Sequence, residues 1–299
     1  MFMRIVCVSD IHWDEHCLMP RYSYPSGISQ ASLLDEVISF ANGDVDGVRA
    51  DMFVDLGDRI QQQGLSNPHL SKGDCDNIYS LSKHFNRLNH DIECVFLDGN
   101  HDGALLSSDS SRILGRDVGS RVLDFDQFRC VFWGASVRND KAIDGYTATQ
   151  DDLVWLKDNL RADKPVLLGT HIPLDGMDPV GLNTADGRFQ PFVNPFYNNK
   201  DEILDVVQES GTVLLAVSGH LHRYKRMPLV ESTHLNPRVA KTQFLRLASL
   251  TRPWTKGAAT VIDVTDRGFD ISSIGEYSLF LDTHGDTPEP FSLDFPAAA

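Results

Sequence analysis

The sequence predicts an α/β fold in which two packed, mixed β-sheets are flanked by helices. Through the first two thirds of the chain, short apolar runs of strand length alternate with amphipathic patterns of helical period. The last third is predicted to form strands without helices between them. Because sheets and helices bury their apolar faces against each other, this order favours a single domain with the sheets inside and the helices outside.

The alternating part starts with a strand over residues 4–9. A first helix is predicted from apolar residues at helical spacing, Leu33, Leu34, Val37, Ile38 and Ala41, and a second from Ile78, Leu81, Phe85 and Leu88. Gly43 lies where the first helix should end. Capping patterns at Thr149 and Asn199 predict two more helices, the latter ending near Gly211. Further strands are expected over residues 52–56, 93–97, 122–125, 129–133, 165–168 and 212–218.

The β-rich part is predicted to contain strands over residues 228–231, 242–248, 258–264 and 269–274. We assign residues 1–284 to one domain and residues 285–299, which contain three prolines, to an extended C-terminal tail. The segment 173–199 is rich in glycine, proline and phenylalanine and is long for a loop in a compact domain. It begins just after a candidate ligand, so we expect a lid or a wall of the substrate pocket.

Composition limits the function classes. The net charge of −15 disfavours nucleic-acid polymers and anionic lipid surfaces as partners, but it leaves room for a small phosphorylated substrate. No apolar stretch is long enough to span a bilayer, and the first residues do not resemble a signal peptide, so a cytoplasmic location is expected. The five cysteines include no Cys-x-x-Cys pair, which argues against a disulfide framework or a zinc ribbon. The oligomeric state is not predicted.

Polar motifs directly follow several of the predicted strands. They are Asp10-Ile11-His12, Gly57-Asp58, Gly99-Asn100-His101-Asp102, Gly169-Thr170-His171 and Gly219-His220-Leu221-His222. Asp10-Ile11-His12 and Gly57-Asp58 alone are common turns, and the third and fifth motifs are more specific. Donors at the ends of several strands can converge on one point. Residues i and i+2 share one side of an extended chain, so Asp10 and His12 are expected to face the same place. Together the motifs predict a metal centre.

The candidate ligands are two carboxylates, four imidazoles and one amide: Asp10, Asp58, His12, His171, His220, His222 and Asn100. This set suits manganese or iron best, with zinc or cobalt also compatible, and it is too rich in nitrogen for magnesium or calcium alone. Seven donors exceed the needs of one tetrahedral ion. With one bridging carboxylate they fit two ions.

The five motifs, in this order, resemble the calcineurin-like metallophosphoesterase superfamily over roughly residues 3–225. Its signature is Asp-x-His, Gly-Asp-x-x-Asp, Gly-Asn-His-Asp/Glu, a lone His and Gly-His-x-His. The resemblance implies a four-layer sandwich. It also implies that Asp10, His12 and His222 hold one metal, that Asn100, His171 and His220 hold the other, and that Asp58 bridges them. This chain departs from the signature after Gly57-Asp58, where the second Asp, a residue that supports the ligands in the family, is missing.

The resemblance further implies catalytic roles. His101 matches the catalytic histidine of the family and is expected to protonate the leaving group, with Asp102 orienting or charging it. Asn100, Arg59 and His220 are the candidate substrate contacts. For Arg59, an ordinary solvent-facing ion pair is an equally acceptable interpretation.

The implied reaction is attack on phosphorus by a metal-bridging hydroxide. The Asn-His-Asp form of the third motif and the absence of Asp-Arg-Gly after the bridging Asp resemble the phosphodiesterase branch more than the protein phosphatases. We therefore expect hydrolysis of a phosphodiester, such as a cyclic nucleotide or another nucleotide. The alternatives are a phosphomonoesterase or pyrophosphate-cleaving enzyme of the same fold and, from a different class, a non-catalytic scaffold.

Overall fold

The computed structural model describes residues 3–14, 29–60, 72–102, 107–135, 146–174, 181–183, 189–191, 196–222, 224–227, 242–250, 259–275 and 288–296. In chain order these residues form β1 (Met3–Val8), α1 (Gln30–Asn42), β2 (Met52–Asp55), α2 (Lys72–Phe85), β3 (Glu93–Phe96), α3 (Ser107–Leu114), β4 (Arg121–Asp124), β5 (Arg129–Trp133), α4 (Gln150–Leu160), β6 (Val166–Thr170), β7 (Gly181–Asn183), β8 (Phe189–Pro191), α5 (Lys200–Ser210), β9 (Val213–Ser218), β10 (Lys225–Met227), β11 (Gln243–Arg246), β12 (Ala259–Val264), β13 (Gly268–Ile274) and β14 (Phe291–Asp294).

Two six-stranded mixed sheets form the centre of the fold, as predicted. The first has the order β14-β13-β12-β1-β2-β3, and the second has the order β10-β11-β9-β6-β5-β4. In the first sheet β1, β2 and β3 are parallel, while β12, β13 and β14 extend it by antiparallel pairing. In the second sheet β5, β6, β9 and β11 are parallel, with antiparallel β4 and β10 at its edges. The parallel strands form one half of the first sheet and the middle of the second, and in each sheet their carboxyl ends share one edge.

Alternation along the strands creates the layers. In β1, Ile5 and Cys7 face the second sheet and pack with Phe132 and Leu167, whereas Val6 and Val8 face α1 and α2. On the far side of the second sheet, α4 and α5 cover a third apolar cluster that includes Val131, Leu168, Leu156 and Val207. The order helix, sheet, sheet, helix confirms the four-layer sandwich.

Gly43, Thr149 and Gly211 lie at helix ends as predicted, whereas the cap at Ser29 was not predicted. Ser29 and Thr149 each form a capping box with the residue three positions later, and α1 ends at Gly43 with φ of 82°. Asn199 precedes α5 but makes no side-chain capping bond, and Gly211 ends that helix with φ of 63°. The second helix stops at Phe85, before Leu88, the last residue of its predicted apolar pattern. Leu88 is buried in the core beyond the end of the helix.

The C-terminal segment differs from the prediction. Residues 288–296 do not form a separate tail, because β14 pairs with β13 and Leu293 is buried against the first sheet. The helix α3 and the short strands β7, β8 and β10 were not predicted either. The predicted strand over 228–231 lies outside the described residues. Among the helices that are described, none is long and apolar enough to cross a membrane.

The segment 173–199 is described only in part. It contains a two-stranded antiparallel hairpin of β7 and β8, and it returns to the core at Phe196 and Tyr197, which are both buried. Phe196 packs on Leu221. Whether the segment acts as a lid stays a prediction, since most of it lies outside the described residues.

Candidate metal centre

The predicted ligands all lie on loops at the carboxyl ends of parallel strands. Asp10 and His12 follow β1, Asp58 follows β2, and Asn100 follows β3 in the first sheet. In the second sheet His171 follows β6, and His220 and His222 follow β9. Since the two sheets pack face to face with these edges together, residues more than 200 positions apart in sequence meet at one place.

The ligand loops are held against each other by backbone bonds. The amides of Asp10 and His12 donate to the carbonyls of Gly57 (2.9 Å) and Asp58 (2.8 Å). The two sheets are joined at the same point, because the amide of His220 donates to Asp10 Oδ2 at 2.8 Å. The positions of the ligands are therefore fixed by the backbone.

Local backbone conformation differs from the extended chain that we predicted at Asp10 and His12. Both residues have positive φ (55° and 46°), as do Asp58, His220 and His222. Non-glycine residues in this region cost about 1–3 kcal/mol each, and such strain is concentrated at functional sites. Asp10 and His12 thus reach one point through consecutive turns rather than through the alternation of a strand.

Two glycines leave room for the site. A Cβ on Gly99 would lie 2.2 Å from Asp58 Oδ1, and a Cβ on Gly219 would lie 1.7 Å from Ser9 Oγ and 2.6 Å from Asp10 Oδ2. No side chain can be placed at either position without displacing an acidic ligand. Both glycines therefore leave space for the metal centre.

The first donor cluster consists of Asp10, His12 and His222, with ligand atoms within 4.8 Å of one another. His222 Nε2 lies 3.3 Å from Asp10 Oδ1 and 2.8 Å from His12 Nε2. Two imidazole nitrogens that face each other at this distance repel unless a proton or a cation lies between their lone pairs. The cluster therefore has the form of a cation site.

The second cluster consists of Asp58, His171 and His220, again with ligand atoms within 4.8 Å. His171 Nε2 lies 3.4 Å from Asp58 Oδ1 and 3.1 Å from Asn100 Oδ1. The other ring nitrogen of His171 lies 3.0 Å from the carbonyl of Leu56, so it is the donor and Nε2 is left to face the site. This brings Asn100 into the same cluster.

Asp58 lies between the two clusters. Its Oδ1 faces His171, and its Oδ2 lies 3.8 Å from His12 Nε2. One carboxylate with an oxygen towards each group of imidazoles is the geometry expected of a bridging ligand.

Burial and charge shift the titration of these groups. Burial alone would raise the pKa of Asp58, but the imidazoles of His171, His101 and His12 outweigh it and hold the pKa well below its usual range. Burial lowers the pKa of His171, yet the charge and hydrogen bond of Asp58 dominate and raise it to about 9. Burial and the repulsion of His171 lower the pKa of His220 to about 3. The two imidazoles of this cluster are thus shifted in opposite directions, and a bound metal ion would replace the proton that Asp58 stabilises on His171.

His101 lies beside the ligands. Its ring meets that of His12 edge to face at 4.8 Å, and its amide donates to Asp58 Oδ1 at 2.7 Å. Its ligand atoms also fall within 4.8 Å of those of His12 and Asp58. Burial lowers the pKa of the imidazole. The structure places the predicted general acid at the partly open side of the site, where Asn100, His220 and His222 are also only partly buried.

We predicted that Asp102 would orient or charge the ring of His101, but its carboxylate binds other groups. Its carboxylate is buried and accepts hydrogen bonds from the backbone amides of Asp58 (2.8 Å), Arg59 (3.1 Å) and Gly99 (2.9 Å). The turn after β3, in which the Asp102 amide donates to the Gly99 carbonyl, points the two neighbouring side chains in different directions. Asp102 therefore supports the ligand loops and does not charge His101.

Arg59 also lies away from its predicted position as a substrate contact. Its side chain is 1% exposed and is surrounded by carboxylates, with Asp98 at 2.5 Å, Asp55 at 3.5 Å and Asp102 at 3.6 Å. It is neither directed at a substrate nor a solvent-facing ion pair. The sequence could not show this, because the three carboxylates come from separate positions along the chain.

Two further residues at the site were missed by sequence reasoning. The ring of Tyr146 meets His220 edge to face at 5.6 Å, and the hydroxyl of Ser249 donates to the carbonyl of Asp10 at 2.6 Å. Neither residue belongs to a recognisable motif. They reach the site through tertiary packing alone.

The donor set fits a pair of metal ions. Asp10 Oδ1 and His220 Nδ1 are buried atoms without a hydrogen-bond partner among the described residues, which is costly unless another group satisfies them. Oxygen and imidazole ligands in this proportion suit first-row transition metals. Asp10, His12 and His222 would hold one ion, Asn100, His171 and His220 the other, and Asp58 would bridge them.

The fold and the site together define a dinuclear metallohydrolase. The family profile described as calcineurin-like phosphoesterase matches residues 3–224, and the chain belongs to this family. No curated protein matches the sequence significantly.

Solved structures share the fold at low sequence identity. A dimetal phosphatase from Danio rerio is 16% identical with a TM-score of 0.65, and the alignment covers 98% of this chain and 99% of that one. PhoD is 10% identical with a TM-score of 0.58, over 97% of this chain and 68% of the other. GAP50, described as the anchor in the inner membrane complex of Plasmodium, is 9% identical with a TM-score of 0.52, over 99% and 89%. These proteins share the architecture, and the family assignment makes this chain a metal-dependent phosphoesterase.

Proposed function

We propose that the protein hydrolyses a phosphodiester in a small molecule, such as a cyclic nucleotide or another nucleotide. The observation that carries the proposal is the pair of donor clusters joined through Asp58, with His101 at their partly open side. Two metal ions at such a site supply Lewis acidity and an activated water. Manganese or iron is the preferred pair, with zinc or cobalt as the alternative.

The protein's own residues have separable tasks in this proposal. The backbone-fixed loops hold Asp10, Asp58 and the four imidazoles at constant separation, so little reorganisation accompanies the reaction. Asn100 and His220, at the partly open side, flank the position of the phosphoryl group. His101 donates a proton to the leaving oxygen in its protonated form, which the negative charge of a bound substrate favours against the lowering of its pKa by burial.

The position of Arg59 supports a diester over a monoester. A phosphomonoester is largely dianionic at neutral pH, whereas a diester carries one negative charge, so the monoester gains more from an added cation. The guanidinium that could supply this charge is buried among Asp55, Asp98 and Asp102 instead. Arg223, which follows His222, lies outside the described residues.

Hydrolysis of a phosphomonoester or a pyrophosphate is the second candidate. It is favoured by the name of the Danio rerio structure, a dimetal phosphatase that matches this chain over nearly its full length. A non-catalytic scaffold is the third. The name of GAP50 shows that one protein of this fold is described as an anchor, but the full ligand set and His101 in this chain favour catalysis.

Turnover of bis-p-nitrophenyl phosphate and of p-nitrophenyl phosphate with added Mn²⁺ separates these candidates. A higher kcat/KM for the diester supports the proposal, and a higher value for the monoester supports the second candidate. If the protein binds two metal ions but hydrolyses neither compound nor a pyrophosphate, the non-catalytic scaffold is the remaining candidate. The acidic net charge supports a small substrate over a nucleic-acid polymer, and the cytoplasmic location remains a prediction.

A further inference from the structure

The side chain of Arg59 crosses from the loop after β2 to the loop after β3. Its Nη1 donates to the carbonyl of Leu97 at 2.5 Å, and its Nη2 donates to Asp98 Oδ1 at 2.5 Å. Both acceptors lie at the end of β3, directly before the motif that carries Asn100. The planar guanidinium can satisfy two acceptors at once, which a single ammonium group cannot do with the same geometry.

The side chain of Asp102 crosses between the same loops in the opposite direction. It comes from the loop after β3, and its two oxygens accept hydrogen bonds from the amides of Asp58 (2.8 Å) and Arg59 (3.1 Å). The guanidinium of Arg59 lies 3.6 Å from Asp102 Oδ2, so the two crossings are joined. We call this pair of side chains with its contacts the Arg59–Asp102 brace.

The loops joined by the brace carry ligands of both metal positions. Asp58 is the candidate bridging ligand, and Asn100 belongs to the second cluster with His171. Both side chains of the brace are 1% exposed, so water cannot replace these bonds, and charge-assisted bonds are strong in such surroundings. The brace thus limits how far Asp58 can move relative to Asn100.

The sequence departs from its family at this point. The second Asp of Gly-Asp-x-x-Asp is missing, and the residue directly after Asp58 is an arginine that the structure buries in the brace. A support that the family signature provides through an acid at one position is absent here. In this chain a cation at a different position joins the loop after β2 to the loop after β3.

We propose that Arg59 and Asp102 are positioning residues that set the separation of the two metal positions by fixing the Asp58 loop against the Asn100 loop. The proposal rests on the dinuclear function proposed above. It differs from a purely structural role, because it concerns the relation between the ions and not only the stability of the fold. Neither residue needs to touch a substrate.

Three variants and one matched control test the brace. Arg59→Met removes the guanidinium group and its charge but keeps an unbranched side chain. Arg59→Lys keeps the charge but can bond well to only one acceptor. Asp98→Asn weakens the bond between Arg59 Nη2 and residue 98. Because the Asp98 side chain is 17% exposed, this variant tests the brace even if Arg59→Met does not fold. Arg49→Met is the matched control, because Arg49 forms an exposed ion pair with Asp91 at 2.9 Å, away from the ligand loops.

The readouts are manganese binding by titration and the exchange coupling between bound Mn²⁺ ions in electron paramagnetic resonance spectra. Two ions about 3.5–4 Å apart with a shared carboxylate are coupled. In Arg59→Met and Asp98→Asn we expect the second Mn²⁺ to bind about 10–100-fold more weakly and the coupled spectrum to be lost or changed. In Arg59→Lys the effect should be intermediate, and Arg49→Met should match the wild type.

Folded Arg59→Met and Asp98→Asn proteins with unchanged affinity and unchanged coupling would overturn the brace, whereas complete retention of both by Arg59→Lys would support it and show that one charged contact is enough to join the loops. These outcomes leave the dinuclear function intact, provided that the wild type binds two coupled ions. A wild type that binds fewer than two ions contradicts the dinuclear function itself and the brace with it. In Arg59→Met and Asp98→Asn we also expect kcat to fall with little change in KM.

Discussion

Asp58 Oδ1 lies 3.4 Å from His171 Nε2, although the two residues are on loops of different sheets. The other nitrogen of His171 faces the carbonyl of Leu56 at 3.0 Å, which fixes the ring. At the same time Asp58 Oδ2 faces His12. One contact between the two sheets is therefore made through the residue that both metal positions share.

Replacing Asp58 by Asn should reduce bound manganese from two ions to at most one. The amide keeps the size of the side chain but loses the charge and one acceptor, so it cannot bridge two cations equally well. Elemental analysis after dialysis measures the result. Asp91→Asn, at an exposed carboxylate in an ion pair with Arg49, is the control and should keep both ions. Two tightly held ions in Asp58→Asn would remove its bridging role.

Replacing His101 by Asn should keep the metal content and lower kcat by about 10²–10⁴-fold. The reason is that the imidazole lies beside the ligands, with its ring 4.8 Å from that of His12, and is proposed to donate a proton. Metal analysis and turnover of the preferred p-nitrophenyl ester are measured on the same sample. Loss of an ion would instead identify His101 as a ligand, which its position near Asp58 also permits. Unchanged turnover would exclude both roles.

The sequence predicted most of the fold because its signals are local. The apolar run of β1, the glycine at the end of α1 and the cap at Thr149 can all be recognised within a few residues. The metal ligands could be found in the same way, since each follows an apolar strand within a short motif. β14 also carries an alternating pattern at Phe291, Leu293 and Phe295, but the prolines around it outweighed that signal.

The roles of Arg59 and Asp102 could not be predicted from neighbours in sequence. Asp102 follows His101 directly, yet its carboxylate binds the amide of Asp58, because the loop turns between them. Arg59 finds its partners after β3, nearly forty positions away. Such charge compensation depends on which loops meet in space, and a single sequence does not encode that in any local pattern.

Replacing Gly219 by Ala should disrupt the first metal position. The new Cβ would lie 1.7 Å from Ser9 Oγ and 2.6 Å from Asp10 Oδ2, so the acidic ligand has to move. We expect destabilisation of about 1–3 kcal/mol and loss of at least one bound manganese. Chemical denaturation and metal analysis measure these effects. Gly134→Ala, where the nearest atom to a Cβ is 3.3 Å away, is the control. Full metal content in Gly219→Ala would show that the loop adapts.

Replacing Leu293 by Ala should destabilise the protein by about 2 kcal/mol, at the lower end for a buried leucine because the residue lies on an edge strand. Leu293 is 9% exposed and packs in the cluster between the two sheets. The free energy of unfolding in urea measures the change, and Glu289→Ala at an exposed position is the control. A difference below about 0.5 kcal/mol would indicate that the C-terminal segment contributes as little as a free tail.

Chelation should lower the thermal stability of the wild type far more than that of His171→Ala. A cation that binds only the folded state stabilises it by about 2.7 kcal/mol for each site when its free concentration is 100 times Kd. His171 belongs to the second cluster, so its loss should abolish the contribution of that position and keep the one made by Asp10, His12 and His222. Unfolding is followed with added Mn²⁺ and with excess chelator. An equal change in unfolding temperature in both proteins would show that His171 is not a metal ligand. No change in either protein would show that the folded state does not bind the cations.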